Sequence, residues 1–243
     1  MLYFIGKVKQ HKTLFAVAAF PFTQEAGGKP AEPFFEGAAV VIGGLHILSA
    51  EFTAYNAEVL HRIFPFTKPV SLRSKRTTIG CGDRLDLVTA GQIWAIKQYD
   101  LYPVLAQQSL RELNFTHRTY HDVITDTSFL VFQEGFERGY GADGDHLKSI
   151  PDIRTALEAG VTMIALDLSE VMHPEVIGWN KEAVQSTFDK LVTDEKKRIL
   201  DTCADKSFPA GEAVIHLSTA QVMLCAVMYG KALDFSREVD LYL

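Results

Sequence analysis

Cysteine is scarce in this chain. Three cysteines in 243 residues, at 81, 203 and 225, are too few and too widely spaced for a disulfide framework or a cysteine-based zinc site, so reduced thiols are expected. Long apolar runs are also missing. The longest, at 14–22 and 38–42, fall well short of the roughly 20 residues that span a bilayer. The amino terminus lacks the basic region and apolar core of a signal peptide, and a cytoplasmic location with no membrane partner is expected. No basic stripe is present, and 24 Lys and Arg against 30 Asp and Glu give a formal charge of -6, which argues against a nucleic-acid partner. Two nucleotide signatures are absent as well. Gly27-Gly28-Lys29 lacks the spacing of a phosphate-binding loop and reads as a turn, and no Gly-x-Gly-x-x-Gly follows a strand. What remains is an ordinary globular composition, 47% apolar, that fits an enzyme acting on a small molecule.

The richest stretch is 139–149, Gly-Tyr-Gly-Ala-Asp-Gly-Asp-His-Leu-Lys-Ser, which places two acids, an imidazole and an ammonium within six residues. Small residues through Gly144 suit a tightly packed strand, and period-2 alternation puts Asp143 and Asp145 on one face. For Asp145 and His146 to act together, the chain must leave β geometry near that pair. A helix is expected directly afterwards, with Ser149 as cap, Pro151 in the first turn, Asp152 at the capping-box position and Gly160 as the stop. The cluster therefore belongs at the carboxyl end of a strand, where α/β folds place their chemistry.

Residues 1–74 read as a mixed α/β front section, with strands in the runs 14–20 and 38–48 and a helix opened by Thr53 and ended by Pro65. From residue 75 a strand–loop–helix unit repeats. Strands are expected at 77–80, 103–106, 139–145 and 163–168. Helices are expected from Thr89, with Gln92 as its box partner, and from Thr119, with Asp122 as its partner and Gly139 as its stop. The apolar stretch 163–166 predicts burial on both faces. Each strand ends in polar residues: Asp83 and Arg84, then Gln107, Gln108 and Ser109, then Asp143 to Lys148, then Asp167, Ser169 and Glu170. Polar strand ends on one rim are what a (β/α) barrel mouth requires, yet four strands are half of the eight that close one. The expectation is an α/β fold, a partial TIM-barrel-like half over 75–243, incomplete at its carboxyl end. Residues 178–211 read as a helical excursion with a solvated charge run at 194–198, and 220–232 as a buried helix.

Three motifs in fixed order carry a resemblance: Gly80-Cys81-Gly82-Asp83-Arg84-Leu85, then Leu105-Ala106-Gln107-Gln108-Ser109-Leu110-Arg111-Glu112-Leu113, then Gly141-Ala142-Asp143-Gly144-Asp145-His146-Leu147-Lys148. Together they resemble the tagaturonate/fructuronate epimerase family over residues 75 to 240. The resemblance implies a metal-dependent, TIM-barrel-like enzyme interconverting D-tagaturonate and D-fructuronate, with Asp145 as proton acceptor and His146 as a ligand of a divalent metal cation. The chain departs from the family pattern at Asp86, where a glycine is usual, and at Ala90-Gly91-Gln92, where Pro-Gly-His is usual. It also resembles only the amino-terminal part of a member, so the chain alone is expected to be inactive.

From the residues themselves, Arg84, Gln107 and Lys148 are candidates for binding substrate carboxylate or hydroxyls, and Asp143 for a partner of the site. The two ketouronates differ at a carbon whose C–H bond the ketone does not acidify. Inversion therefore requires opening a carbon–carbon bond by retro-aldol cleavage, with a carboxylate base, or oxidising the alcohol. Two other readings remain open: another metal-dependent sugar aldolase or isomerase, and a non-catalytic sugar-binding segment.

Overall fold

The computed structural model describes residues 1–22 and 34–243, so the turn expected at 27–29 lies outside the described residues. The chain divides into two compact units, Met1–Ala165 and Leu166–Leu243. Among the described residues no helix is long and apolar enough to cross a membrane.

The first unit opens with an antiparallel sheet of β1 (Leu2–Val8), β2 (His11–Ala18), β3 (Ala38–Ile42) and β4 (Leu45–Ala50), in the order β1-β2-β4-β3. The strand expected over 38–48 is in fact a hairpin. Gly43 and Gly44 take φ of 57° and 80°, which only glycine adopts without steric cost, and the chain reverses there. α1 (Ala54–Ile63) starts as expected, with the Thr53 hydroxyl accepting from the Asn56 N–H. Leu14, Leu48, Val59 and Leu60 form the core between this sheet and helix, and Phe129 from much later in the chain joins them.

A four-stranded sheet follows in the order β5-β6-β7-β8, built from β5 (Thr78–Gly80), β6 (Tyr102–Ser109), β7 (Gly141–Leu147) and β8 (Met163–Leu166). β5, β6 and β7 pair in parallel. Its helices are α2 (Thr89–Ile96), α3 (Leu110–Thr116), α4 (Tyr120–Glu134) and α5 (Ile150–Glu158). This is the partial-barrel α/β fold that the repeated unit predicts. Ser149 and Thr119 cap α5 and α4 as expected, the latter in a full capping box with Asp122. Three details differ. α4 stops at Gly135, held at φ 54°, four residues before Gly139. Thr89 is the first residue of α2 rather than its cap, because the Asp83 carboxylate performs that role from outside the helix. Met163 is 46% exposed, so β8 is not buried on both faces; it lies at an edge of the sheet, paired only with β7.

The second unit contains α6 (Lys181–Phe188), α7 (Thr193–Cys203), a hairpin of β9 (Lys206–Ala210) and β10 (Ala213–Leu217), and α8 (Thr219–Tyr242). Val176, Val184, Phe188 and Val227 form its core. α7 buries no residue, as its charge run predicts. The excursion at 178–211 ends in a strand that the helical reading missed, and α8 extends well beyond the stretch 220–232.

Candidate active site

β6 and β7 end side by side, and one irregularity decides which side chains meet there. The pairing runs Val104 to Gly141 and then Ala106 to Ala142, so β6 spends two residues where β7 spends one. Such a bulge reverses the facing of everything after it. Gln107 therefore lies opposite Asp143 and Ser109 opposite Asp145. Gln107 Nε2 donates to Asp143 Oδ2 at 3.2 Å. Asp143 is 2% exposed, and its Oδ1 is enclosed with no hydrogen-bond partner. Burial first, and the neighbouring charge of Asp145 second, push the Asp143 carboxyl up to about 6, against the opposing pull of Gln107 and His146.

Asp145 and His146 are in direct contact, with Asp145 Oδ1 2.8 Å from His146 Nδ1. Consecutive residues on a regular strand point to opposite faces, so this contact requires a break. His146 supplies it with φ 56°, in the left-handed region that residues other than glycine rarely adopt. The strand ends at Leu147, which is fully buried. The carboxylate on Nδ1 fixes the ring so that Nε2 can face a ligand, the arrangement found when a carboxylate supports a metal-binding histidine. The imidazole side chain is 64% exposed and that of Asp145 only 19%. Among the described residues no three His, Cys, Asp or Glu side chains cluster as a ligand set, so His146 would be one donor of a set these residues do not complete.

Arg84 follows β5 and pairs with Glu112 of α3 through two guanidinium nitrogens. Glu112 is itself fixed by the Ser109 capping box, since its Oε2 accepts from the Ser109 N–H at 3.2 Å. The Ser109-x-x-Glu112 spacing was visible in the sequence, and the helix α3 that it starts was not anticipated. Lys148 is exposed, immediately after β7. The structure thus joins Gln107 to Asp143 and Asp145 to His146 on adjacent strand ends, and couples Arg84 to Glu112.

Two supporting residues were missed as such. Asp83 is 6% exposed and accepts from the N–H groups of Leu85, Leu87, Val88 and Thr89 and from the Thr89 hydroxyl. Burial alone would raise its carboxyl; these hydrogen bonds outweigh it and hold the group below the usual carboxylate range. Arg118 bridges Asp86 at 2.8 Å and Asp126 at 2.6 Å, clasping the loop that carries Arg84 to α4. Asp86 itself sits at φ 56°. An acid six residues before a helical Thr was a usable signal for the first; nothing local in the sequence signals the second.

The model of the family described as tagaturonate epimerase, UxaE, matches residues 1–243. A tagaturonate/fructuronate epimerase of Thermotoga maritima is 42% identical over 127 residues, covering 52% of this chain and 26% of that protein. The native crystal structure of fructuronate-tagaturonate epimerase UxaE from Cohnella laeviribosi superposes with a TM-score of 0.83 at 33% identity, covering 97% of this chain and 45% of that one. Its complex with one glycerol gives 0.82 at 35% identity, over 95% and 44%. The matched chain spans less than half the length of each of these relatives.

Proposed function

Because the chain belongs to the tagaturonate epimerase family, we propose that it acts in the interconversion of D-tagaturonate and D-fructuronate, with Asp145 as the base and His146 as a ligand of a divalent cation. The observation that carries this reading is the 2.8 Å contact of Asp145 with His146, made possible by the left-handed turn at His146. A strained, non-glycine residue at a strand end is a common feature of catalytic loops. The glycerol complex of the Cohnella laeviribosi enzyme supports a polyhydroxylated ligand.

The carboxylate of Asp145 takes the proton of the hydroxyl on the carbon to be inverted. The O–H electron pair becomes the second bond of an aldehyde, and the bond from that carbon to the one beside the ketone breaks. Its electrons pass to the ketone-bearing fragment. The aldehyde rotates, the same two carbons rejoin on its other face, and the new alkoxide takes a proton back. When bound, a divalent cation supplies Lewis acidity toward the oxygens of the ketone-bearing fragment. Gln107 offers N–H donors to substrate hydroxyls. Arg84, whose guanidinium has donors beyond those used by Glu112, and Lys148 offer positive charge to the substrate carboxylate.

In a version extended to the length of the relatives and assayed on D-tagaturonate with manganese, zinc, nickel or cobalt, Asp145→Asn is expected to lower turnover by about a hundredfold or more. Metal affinity, followed by calorimetry, should fall far less, by about tenfold, because the amide oxygen can still accept from His146 Nδ1. His146→Ala should weaken metal affinity first. An Asn variant that keeps a tenth of the rate removes Asp145 as the base. Epimerisation in heavy water separates the route from enolisation, because carbon–carbon cleavage leaves the C–H bond of the inverted carbon intact. No deuterium is expected there, and stoichiometric uptake overturns the cleavage route.

A further inference from the structure

We propose that Gly80 and Asp143 are positioning residues that fix the Gln107 carboxamide, so that one Nε2–H is held by Asp143 while the other is presented to the substrate. This rests on the ketouronate reading above and extends it from which residue binds to what aims it. The three residues sit on three adjacent strands, β5, β6 and β7.

A primary carboxamide has two ends that look alike in shape and opposite in chemistry. Its NH2 only donates and its oxygen only accepts, and an unconstrained Gln can turn either way. An ionised carboxylate only accepts, so Asp143 Oδ2 at 3.2 Å selects the NH2 end of Gln107 and directs Oε1 away. Oε1 is thereby turned toward β5, where it meets Gly80. A Cβ added at Gly80 would lie 2.5 Å from Gln107 Oε1, closer than any such atoms approach in practice. Gly80 is not in the left-handed region, so backbone freedom does not explain a glycine there; the space taken by the carboxamide does. The bulge in β6 brings Gln107 opposite Asp143 in the first place. Gln107 is half-buried whereas Asp143 is 2% exposed, so of the pair Gln107 is the one that a ligand can reach.

The test reads Gln107 directly. With the chain labelled with ¹⁵N-glutamine and held at pH 8, where Asp143 with its carboxyl pushed up to about 6 is ionised, one of the two Nε2 protons of Gln107 should be protected from exchange with water and the other should not. Gly80→Ala and Asp143→Asn should each remove that protection while leaving the melting temperature near wild type. The atom displaced by the new Cβ is the free end of a flexible side chain, and Asn keeps the shape of Asp. In a version extended to the length of the relatives, adding D-tagaturonate or D-fructuronate should shift the unprotected proton. Each of the two substitutions should weaken ketouronate binding by about three- to tenfold, the size of one lost hydrogen bond, and should add nothing in a Gln107→Met background.

Unchanged Gln107 signals in both variants overturn the positioning role. Additive losses in the Gln107→Met background overturn it as well, since they show that Gly80 and Asp143 act by another path. A ketouronate that binds without shifting Gln107 removes the contact with substrate. An extended version that binds neither ketouronate, while Gln107 shows the protected proton, overturns the ketouronate reading and leaves the carboxamide geometry standing.

Discussion

Asp83 shows how a single side chain can organise the rim of the candidate site. Its two oxygens serve four backbone N–H groups and one hydroxyl, including those at the start of α2 that Val88, as an apolar cap residue, cannot satisfy. Replacing it by Ala takes the acceptor from the buried Thr89 N–H and hydroxyl and from three part-buried N–H groups. Loss of a helix cap together with charged hydrogen bonds is expected to cost about 2–3 kcal/mol. Its carboxyl is depressed in the folded chain, so the unfolded state binds the proton more readily. The stabilisation is fully present above the unfolded value near 4 and is lost as pH falls through the lower folded value. Urea unfolding of wild type and Asp83→Asn from pH 7 down to 3 should show a gap that closes at the acid end. A gap independent of pH would mean that the charge of Asp83 has no part in the stabilisation.

At the scale of elements, the strand that carries the site is tied down at its start as well as its end. Tyr140, directly before β7, is fully buried, and its hydroxyl donates to the Thr67 carbonyl at 2.8 Å and lies 3.1 Å from Ser128 Oγ of α4. Ser128 in turn meets His61 Nε2 of α1 at 2.9 Å, and burial pulls the His61 imidazole below its ordinary value. One phenol thus joins the entrance of β7 to Thr67, 73 residues earlier in the sequence, and to α4, with Ser128 carrying the network on to α1. Tyr140→Phe leaves the ring in place and removes the hydroxyl, so the buried Thr67 carbonyl loses its partner. A loss of about 1–3 kcal/mol is expected in chemical denaturation. A loss below about 0.5 kcal/mol, the scale of a surface substitution, would show that the network adds nothing beyond packing.

At the scale of the whole molecule, the sequence pattern changes after residue 74 but the core of the first unit does not stop there. Phe129 on α4 stacks on Phe52 at 4.0 Å between ring centroids and packs in one cluster with Leu14, Val59 and Leu60. Residues on both sides of position 74 therefore share buried surface and should unfold together. Phe129→Ala is expected to cost about 3–5 kcal/mol. Amide exchange in β2 and in β6 should accelerate by the same factor. Acceleration confined to β2 would show that the front sheet melts on its own.

Local chemistry was enough to read much of this from sequence. Thr53, Thr119 and Ser149 announce helices because a cap acts within three residues, and Asp143 and Asp145 share a face because strand alternation is a property of one strand. The order of polar strand ends and the Asp145–His146 pair were legible for the same reason. What the sequence could not convey depends on a second element. The bulge that brings Gln107 to Asp143 is a mismatch between two strands, the need for glycine at position 80 is set by a side chain on β6, and the cap of α2 comes from a loop outside it. A residue's partners within a turn or a strand follow from its neighbours in the chain, whereas partners across strands follow from register, and register exists only once the sheet has formed.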